Sequence, residues 1–321
     1  SLCFENALQN ASGGRPPTPL GARILTNPED IFQHNMWDHV QWTEEAKEEA
    51  RQKTNENSSS RIPSEEQGKY DTDACKYWDS FYERHQDRFF KDRKWLFLEF
   101  PELLPSGPGG RATEERDSFP GEHAPFRILE VGCGAGNSVF PIVNSIKHTG
   151  AFVYCCDFSS RAVQLVKDHP DYDQSLCHAF VQDICDEVAS FPFPPLSLDV
   201  ILLVFVLSSI HPERVQGVVN RLSEFLKPGG IFLFRDHGRY DLSQLRFKKG
   251  RCLSDNFYTR GDGTCVYFFT KDEVHSLFSN AGLEEIQNLE DRRIQVNRAK
   301  KIVMYRVWMQ SKYRKTLPAP S

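Results

Sequence analysis

Glu130-Val131-Gly132-Cys133-Gly134-Ala135-Gly136 stands between the apolar run Arg127 to Val131 and a helix-like stretch that opens at Asn137. Glycines at such a junction let the backbone turn sharply and approach a ligand closely, and the helix that follows offers free N–H groups. The spacing is Gly-x-Gly-x-Gly. The position that a dinucleotide-binding Gly-x-Gly-x-x-Gly motif fills with Gly or Ala holds Asn137. That favours a loop for a methyl-donating nucleoside over one for NAD, with a purely structural turn as the third reading.

From Phe126 onward, apolar strand-like runs alternate with helical ones, the pattern of a parallel sheet with crossover helices. Arg127 to Val131, Phe152 to Phe158, His178 to Asp183, Leu198 to Ile210 and Ile231 to Arg235 read as strands. Asn137 to Ile146, Ser160 to Lys167 and Pro212 to Leu226 read as the helices between them, the last stopped by Lys227-Pro228-Gly229-Gly230. After a basic insertion, Asp272 to Asn280 reads as another helix and Ile302 to Gln310 as a final strand. The expected fold is α/β and Rossmann-like, the class I arrangement of S-adenosylmethionine-dependent methyltransferases, over residues 126–317.

Ahead of it, residues 1–27 read as an extended lead-in, 28–100 as a helical region and 101–125 as a linker in which prolines and glycines alternate with charges. Ser58 to Gln67 reads as a shorter polar linker. The chain begins on Ser1 rather than Met, which a removed targeting peptide and a trimmed terminus explain equally well. Lys69 to Phe100 is dense in aromatics, with Trp78, Phe81 and Tyr82 on one helical face, either packed on the core or facing a ligand.

In 321 residues, 39% are hydrophobic and 26% charged, and no apolar run reaches the ~20 residues of a membrane helix, which argues against an integral membrane protein. The nine cysteines form no Cys-x-x-Cys pair and no zinc-site spacing with His, so reduced, buried thiols are expected and no metal. A formal charge of -5 speaks weakly against a polyanion partner, but the positive charge is clustered. One cluster holds Arg235, Arg239, Arg246, Lys248, Lys249, Arg251 and Arg260; a second holds Arg292, Arg293, Arg298, Lys300 and Lys301, with Asn297 among them. Each alone is ordinarily a solvated face; two beside a cofactor loop favour RNA binding.

Asp157 closes the second strand about 20 residues beyond the loop, where a carboxylate accepts both ribose hydroxyls of a nucleoside. Asp183 closes the third and is placed for an adenine amino group, with Ile184 packing on the base; a helix N-cap is the alternative. Leu203 falls where the fourth strand meets the cofactor, or is simply core. Asp236, at the end of the fifth strand, either faces the acceptor and stabilises positive charge or pairs with Arg235 or Arg239.

Longer segments make the chain similar to one family, the eukaryotic methyltransferase-like enzymes that form 3-methylcytidine in tRNA. They are His34 to Asp38, Lys76 to Tyr82, Phe90 to Arg93, Ile128 to Asn137, Arg235 to Asp241, Asn256 to Thr264 and Asp291 to Arg298, and the likeness runs from about Arg23 to Leu317. Pro19 to Thr26 and Ser208 to Pro212 look most like the vertebrate mitochondrial branch. The resemblance implies S-adenosylmethionine as cofactor, with Trp78 and Tyr82 closing over it to join Gly132, Gly134, Gly136, Asp157, Asp183, Ile184 and Leu203. It implies that the N-terminal region and the arginines grip the anticodon arm of tRNA, and that the target is cytidine 32, in mitochondrial tRNA(Ser) and tRNA(Thr). It further implies a mitochondrial matrix location, with cytoplasm or nucleus as the alternative, and seryl-tRNA synthetase as a partner, on which some members depend. His237 stands where the family more often has Tyr, and the linker at 101–125 is shorter than in relatives. A methyltransferase for a protein or small molecule, or a non-catalytic cofactor-binding subunit, are the competing readings.

Overall fold

The computed structural model describes residues 23–105 and 117–320. Most of the expected lead-in and residues 106–116 of the expected linker lie outside the described residues. The strands in chain order are β1 (Met36–Trp37), β2 (Arg127–Val131), β3 (Phe152–Asp157), β4 (Cys177–Val181), β5 (Leu198–Val204), β6 (Leu226–His237), β7 (Cys252–Ser254), β8 (Phe257–Thr259), β9 (Cys265–Tyr267), β10 (Leu283–Asn297) and β11 (Ile302–Lys315). Eight of them form one sheet in the order β1-β10-β11-β6-β5-β2-β3-β4.

β2 to β6 run parallel, while β11 lies antiparallel to β6 and β10 antiparallel to β11. This is the Rossmann-like class I order, in which the chain leaves β2 towards β3 and β4, then crosses back to β5 and β6. The crevice at that reversal, outside the carboxyl ends of the strands, is where such sheets take ligands. β3 is buried along its whole length, as a parallel strand covered on both faces must be. Helix Val139–Ile146 packs Val139, Ile142 and Val143 on one face of the sheet, and helix Pro212–Ser223 packs Val215, Val218 and Val219 on the other.

The last strands differ from the expectation. Lys227-Pro228-Gly229-Gly230 is not a stop but the start of β6, absorbed by a register shift against Leu198 and Val200. Leu283–Asn297, of which the sequence singled out only the basic stretch that begins at Arg292, is a strand of 15 residues. Charged side chains hid it, because β10 buries Asp291 and Arg293 against partners brought in from elsewhere.

The N-terminal region is bonded into the domain rather than appended to it. Met36 and Trp37 pair with Gln295 and Ile294 of β10. Leu96, Phe100 and Leu103 are fully buried beside Ile128 and Val200, so Leu103, expected in the linker, is core. Ser58 to Gln67 is no free linker either: Ile62 N–H donates to the Cys252 carbonyl at 2.9 Å, and helix Ser64–Thr72 begins within it. Asn57 bridges the Gln244 carbonyl and the Tyr258 hydroxyl, fastening helix Glu44–Ser58 to the small sheet β7-β8-β9. Among the described residues, no helix is long and apolar enough to cross a membrane.

Candidate active site

The glycine loop takes the shape that its sequence demands. Gly132, Gly134 and Gly136 have φ of 67°, 53° and 92°, a left-handed region that favours glycine. A Cβ on Gly134 would stand 2.6 Å from the Tyr82 hydroxyl, and one on Gly132 2.5 Å from a Val206 methyl. Asn137, where a dinucleotide motif has a small residue, donates from Nδ2 to the Phe90 carbonyl at 2.9 Å, and its own carbonyl receives Arg93 N–H at 3.0 Å. The loop is thereby tied to the N-terminal region.

Helix Ala74–His85 brings Trp78 and Tyr82 over the loop. It is anchored by Asp79 to the Ser159 hydroxyl, by Cys75 Sγ to the Phe158 carbonyl and by Glu83 to Arg161. Between helix and sheet edge lie two adjoining cavities. The first is lined by Trp78, Tyr82, Gly132, Asp157, Asp183 and Ile184 among others. The second is lined by Arg93, Gly134, His237, Arg260, Phe268 and Trp308 among others. Trp78, Tyr82, Gly132, Phe205 and Ser209 belong to both.

Asp157 Oδ2 accepts Gly134 N–H at 3.0 Å and Oδ1 accepts Ser159 N–H at 2.9 Å, so the carboxylate is held in the first cavity with further lone pairs open. Burial pushes its pKa up to about 6 despite those bonds. Asp183 is not a helix cap: its Oδ1 accepts Cys185 N–H at 2.9 Å in a local turn. A purine against Ile184 with its ribose on Asp157 and its amino-acid end near the glycine turn matches this lining, and the turn itself admits no side chain, since a Cβ on Gly132, Gly134 or Gly136 would collide with Val206, Tyr82 or Phe140. S-adenosylmethionine therefore fits the residues present, with Arg93 offering a cation to a carboxylate.

Several expected site residues stand elsewhere. Leu203 is fully buried in the core; Val204 and Phe205 take the position at the cavity, since one step along a strand reverses the face. Arg235 is 2% exposed, bonded to Gln310 and paired with Asp291 at 2.8 Å, so it faces no substrate. Arg293 is likewise buried, between Asp291, Asp38 and Glu99. Arg239 is held by Glu273, the Tyr267 hydroxyl and the Phe268 carbonyl. Arg292 pairs with Glu290 at 2.7 Å and lies over Trp42. Arg260 lines the second cavity, Asn297 accepts Lys300 N–H at the strand end, and Arg298 is exposed in the turn beyond.

Asp236 meets neither of its expected roles. It is fully buried and does not line the cavities; Oδ2 accepts Ser208 N–H at 3.0 Å and Oδ1 accepts His237 N–H at 2.7 Å, and it pairs with neither Arg235 nor Arg239. It locks the turn Leu207–Ser209 to the end of β6. Burial raises its pKa to about 7, and Glu130, under the glycine loop, is pushed to about 8.

Of the cavity residues, Phe205 and Trp308 were not singled out in the sequence, and Arg306 stood there only as one more charge in the second basic stretch. Phe205 has φ 57°, costly for a bulky side chain, and the turn swings its ring between the cavities against Met36 and Trp308. Arg93 was visible only as the end of a familiar segment.

A methyltransferase domain model matches residues 129–232. The zebrafish (Danio rerio) tRNA N(3)-cytidine methyltransferase METTL2 is 56% identical over 97% of this chain and 93% of its own. The human (Homo sapiens) tRNA N(3)-cytidine methyltransferase METTL2B is 49% identical over 93% of this chain and 94% of its own. The mouse (Mus musculus) tRNA N(3)-cytidine methyltransferase METTL8, mitochondrial, is 46% identical over 63% of this chain and 91% of its own.

Proposed function

Since the chain belongs to the tRNA N(3)-cytidine methyltransferase family, we propose that it methylates N3 of cytidine 32 in the anticodon loop of tRNA, with tRNA(Ser) and tRNA(Thr) as substrates. The observation that carries this reading is the pair of cavities with a common wall, a nucleoside-shaped one at the glycine loop and an aromatic, arginine-lined one beside it. S-adenosylmethionine supplies an electrophilic methyl on a sulfonium.

The chain's own part is alignment and exclusion of water, for which no metal is required. Asp157 and the loop hold the donor, while Trp78 and Tyr82 cover it. N3 of a neutral cytosine carries an in-plane lone pair, so no residue need remove a proton. Because N3 lies on the pairing edge, the base must leave any stack before it reaches the cavity. Phe205, Phe268 and Trp308 give it aromatic faces.

The grip on tRNA falls to exposed cations rather than to Arg235 and Arg293. Phe247 lines the second cavity, and Lys248, Lys249 and Arg251 follow it at the surface. Arg246 touches Met304, which brings this stretch beside the turn bearing Arg298, Lys300 and Lys301.

Incubation of the protein with labelled S-adenosylmethionine and total tRNA, with the methylated nucleoside identified by mass and mapped by primer extension, tests the reading. Label in 3-methylcytidine at position 32 is expected; label in protein or another nucleoside overturns it. Seryl-tRNA synthetase, the partner that the family resemblance implies, should raise kcat/KM on tRNA(Ser) and leave tRNA(Thr) unchanged. The mitochondrial assignment is tested by finding which compartment's tRNAs lose the mark when the protein is depleted.

A further inference from the structure

The wall of the second cavity carries a polar ring that no described residue satisfies. His237 ends β6, and its ring lies 4.9 Å from that of Phe205 and 5.8 Å from that of Phe268. Its backbone N–H is held by Asp236, so the position of the ring is set from below. Nδ1 is buried without a hydrogen-bond partner. Burial, with the guanidiniums of Arg260 and Arg306 nearby, holds the imidazole far below its usual pKa, at about 3. The ring is therefore neutral, with one N–H and one lone pair.

An unmet buried nitrogen costs stability, and a phenyl ring would occupy the same space without that cost. Beside it stands Phe205, whose left-handed backbone is a second unfavourable feature at the same wall. Two such features meeting where a donor cavity opens into an acceptor cavity point to a ligand that satisfies them.

We propose that His237 reads the acceptor base: with a cytosine stacked on Phe205, the imidazole hydrogen-bonds one of the two groups flanking N3, the O2 carbonyl or the exocyclic amine, and so sets N3 in line with the methyl. This rests on the tRNA cytidine reading above. A neutral ring suits either partner, and it adds no positive charge where methylation creates one.

His237→Phe keeps the ring and removes both nitrogens. Its kcat on tRNA should fall on the order of 10- to 100-fold, the scale set by leaving a recognised polar group unpaired. Affinities for S-adenosylmethionine and tRNA should stay at the parental values. The thermal midpoint should rise by about 2–4 °C as the unmet nitrogen disappears. His237→Asn, whose amide reaches towards the position of Nδ1, should recover part of the lost rate.

Parental kcat in His237→Phe overturns the inference. So does a fall in rate accompanied by lower thermal midpoint and weaker donor binding, the mark of a structural residue. If the parental protein in the same assay makes no 3-methylcytidine, the functional reading itself fails and takes this inference with it, a result distinguishable from failure of the variant alone.

Discussion

Two groups of buried charges lie within this sheet, and they are treated in opposite ways. Along β6, β10 and β11, Arg235, Asp291 and Arg293 are paired with one another, with Gln310 and Glu99 at the same seam. The two arginines hold Asp291 at about 2, below the usual carboxylate range. At Asp157, which lines the first cavity, and at Asp236 and Glu130 behind the cavity walls, the carboxyls receive hydrogen bonds or a single distant cation, and burial lifts them to about 6, 7 and 8. In the first group opposite charges face one another directly; in the second, burial is opposed mainly by hydrogen bonds, and of its three acids only Asp157 lines a cavity where a ligand can meet it.

The sharpest break of this contrast is Asp291→Ala. It would strand Arg235 and Arg293 in the interior and should cost about 3–5 kcal/mol of unfolding free energy, read by denaturant titration. Donor affinity of the folded fraction should be unchanged. A loss below about 1 kcal/mol would mean the seam is not a structural network.

Asp157→Asn should do the reverse, leaving stability level or raised while weakening S-adenosylmethionine binding by about 10- to 100-fold in calorimetry, the worth of hydrogen bonds to a charged acceptor. The two regions also answer pH with opposite sign. A carboxyl raised to about 6, as at Asp157, lends stability below the unfolded pKa that is lost as pH rises through 6. Ribose hydroxyls favour its ionised form, so donor affinity should climb by up to about tenfold per unit as pH rises to 6 and level off above. Asp291, held near 2, lends stability above the unfolded pKa that fades only as pH falls towards 2.

The smallest effect belongs to the outer surface. Lys248→Ala should lower tRNA affinity by about 1 kcal/mol or less and reduce the slope of log K against log salt by about 1, with donor binding and stability untouched. An unchanged slope would move the RNA surface elsewhere.

The loop and the parallel strands were readable because their signals are local: glycines where φ must be positive, and apolar runs where both faces are covered. Asp157 stands at the end of its strand as read, and Asp183 two residues past the end of β4. Arg235 and Arg293 misled because their partners are remote in sequence: Asp38 and Glu99 come from the N-terminal region and Gln310 from the last strand. In sequence, such residues are a basic run; in an antiparallel seam they are core. Leu203 missed by a single position, since the turn at Phe205 redirects a side chain in a way that no periodicity announces. His237 was visible only as a departure from the family's Tyr.

Phe205, with Trp78, Tyr82, Gly132 and Ser209, is a partition common to both chambers. Whatever fills one chamber meets one face of that partition, and whatever fills the other meets the opposite face. A change at the Phe205 ring would therefore be felt in both chambers at once.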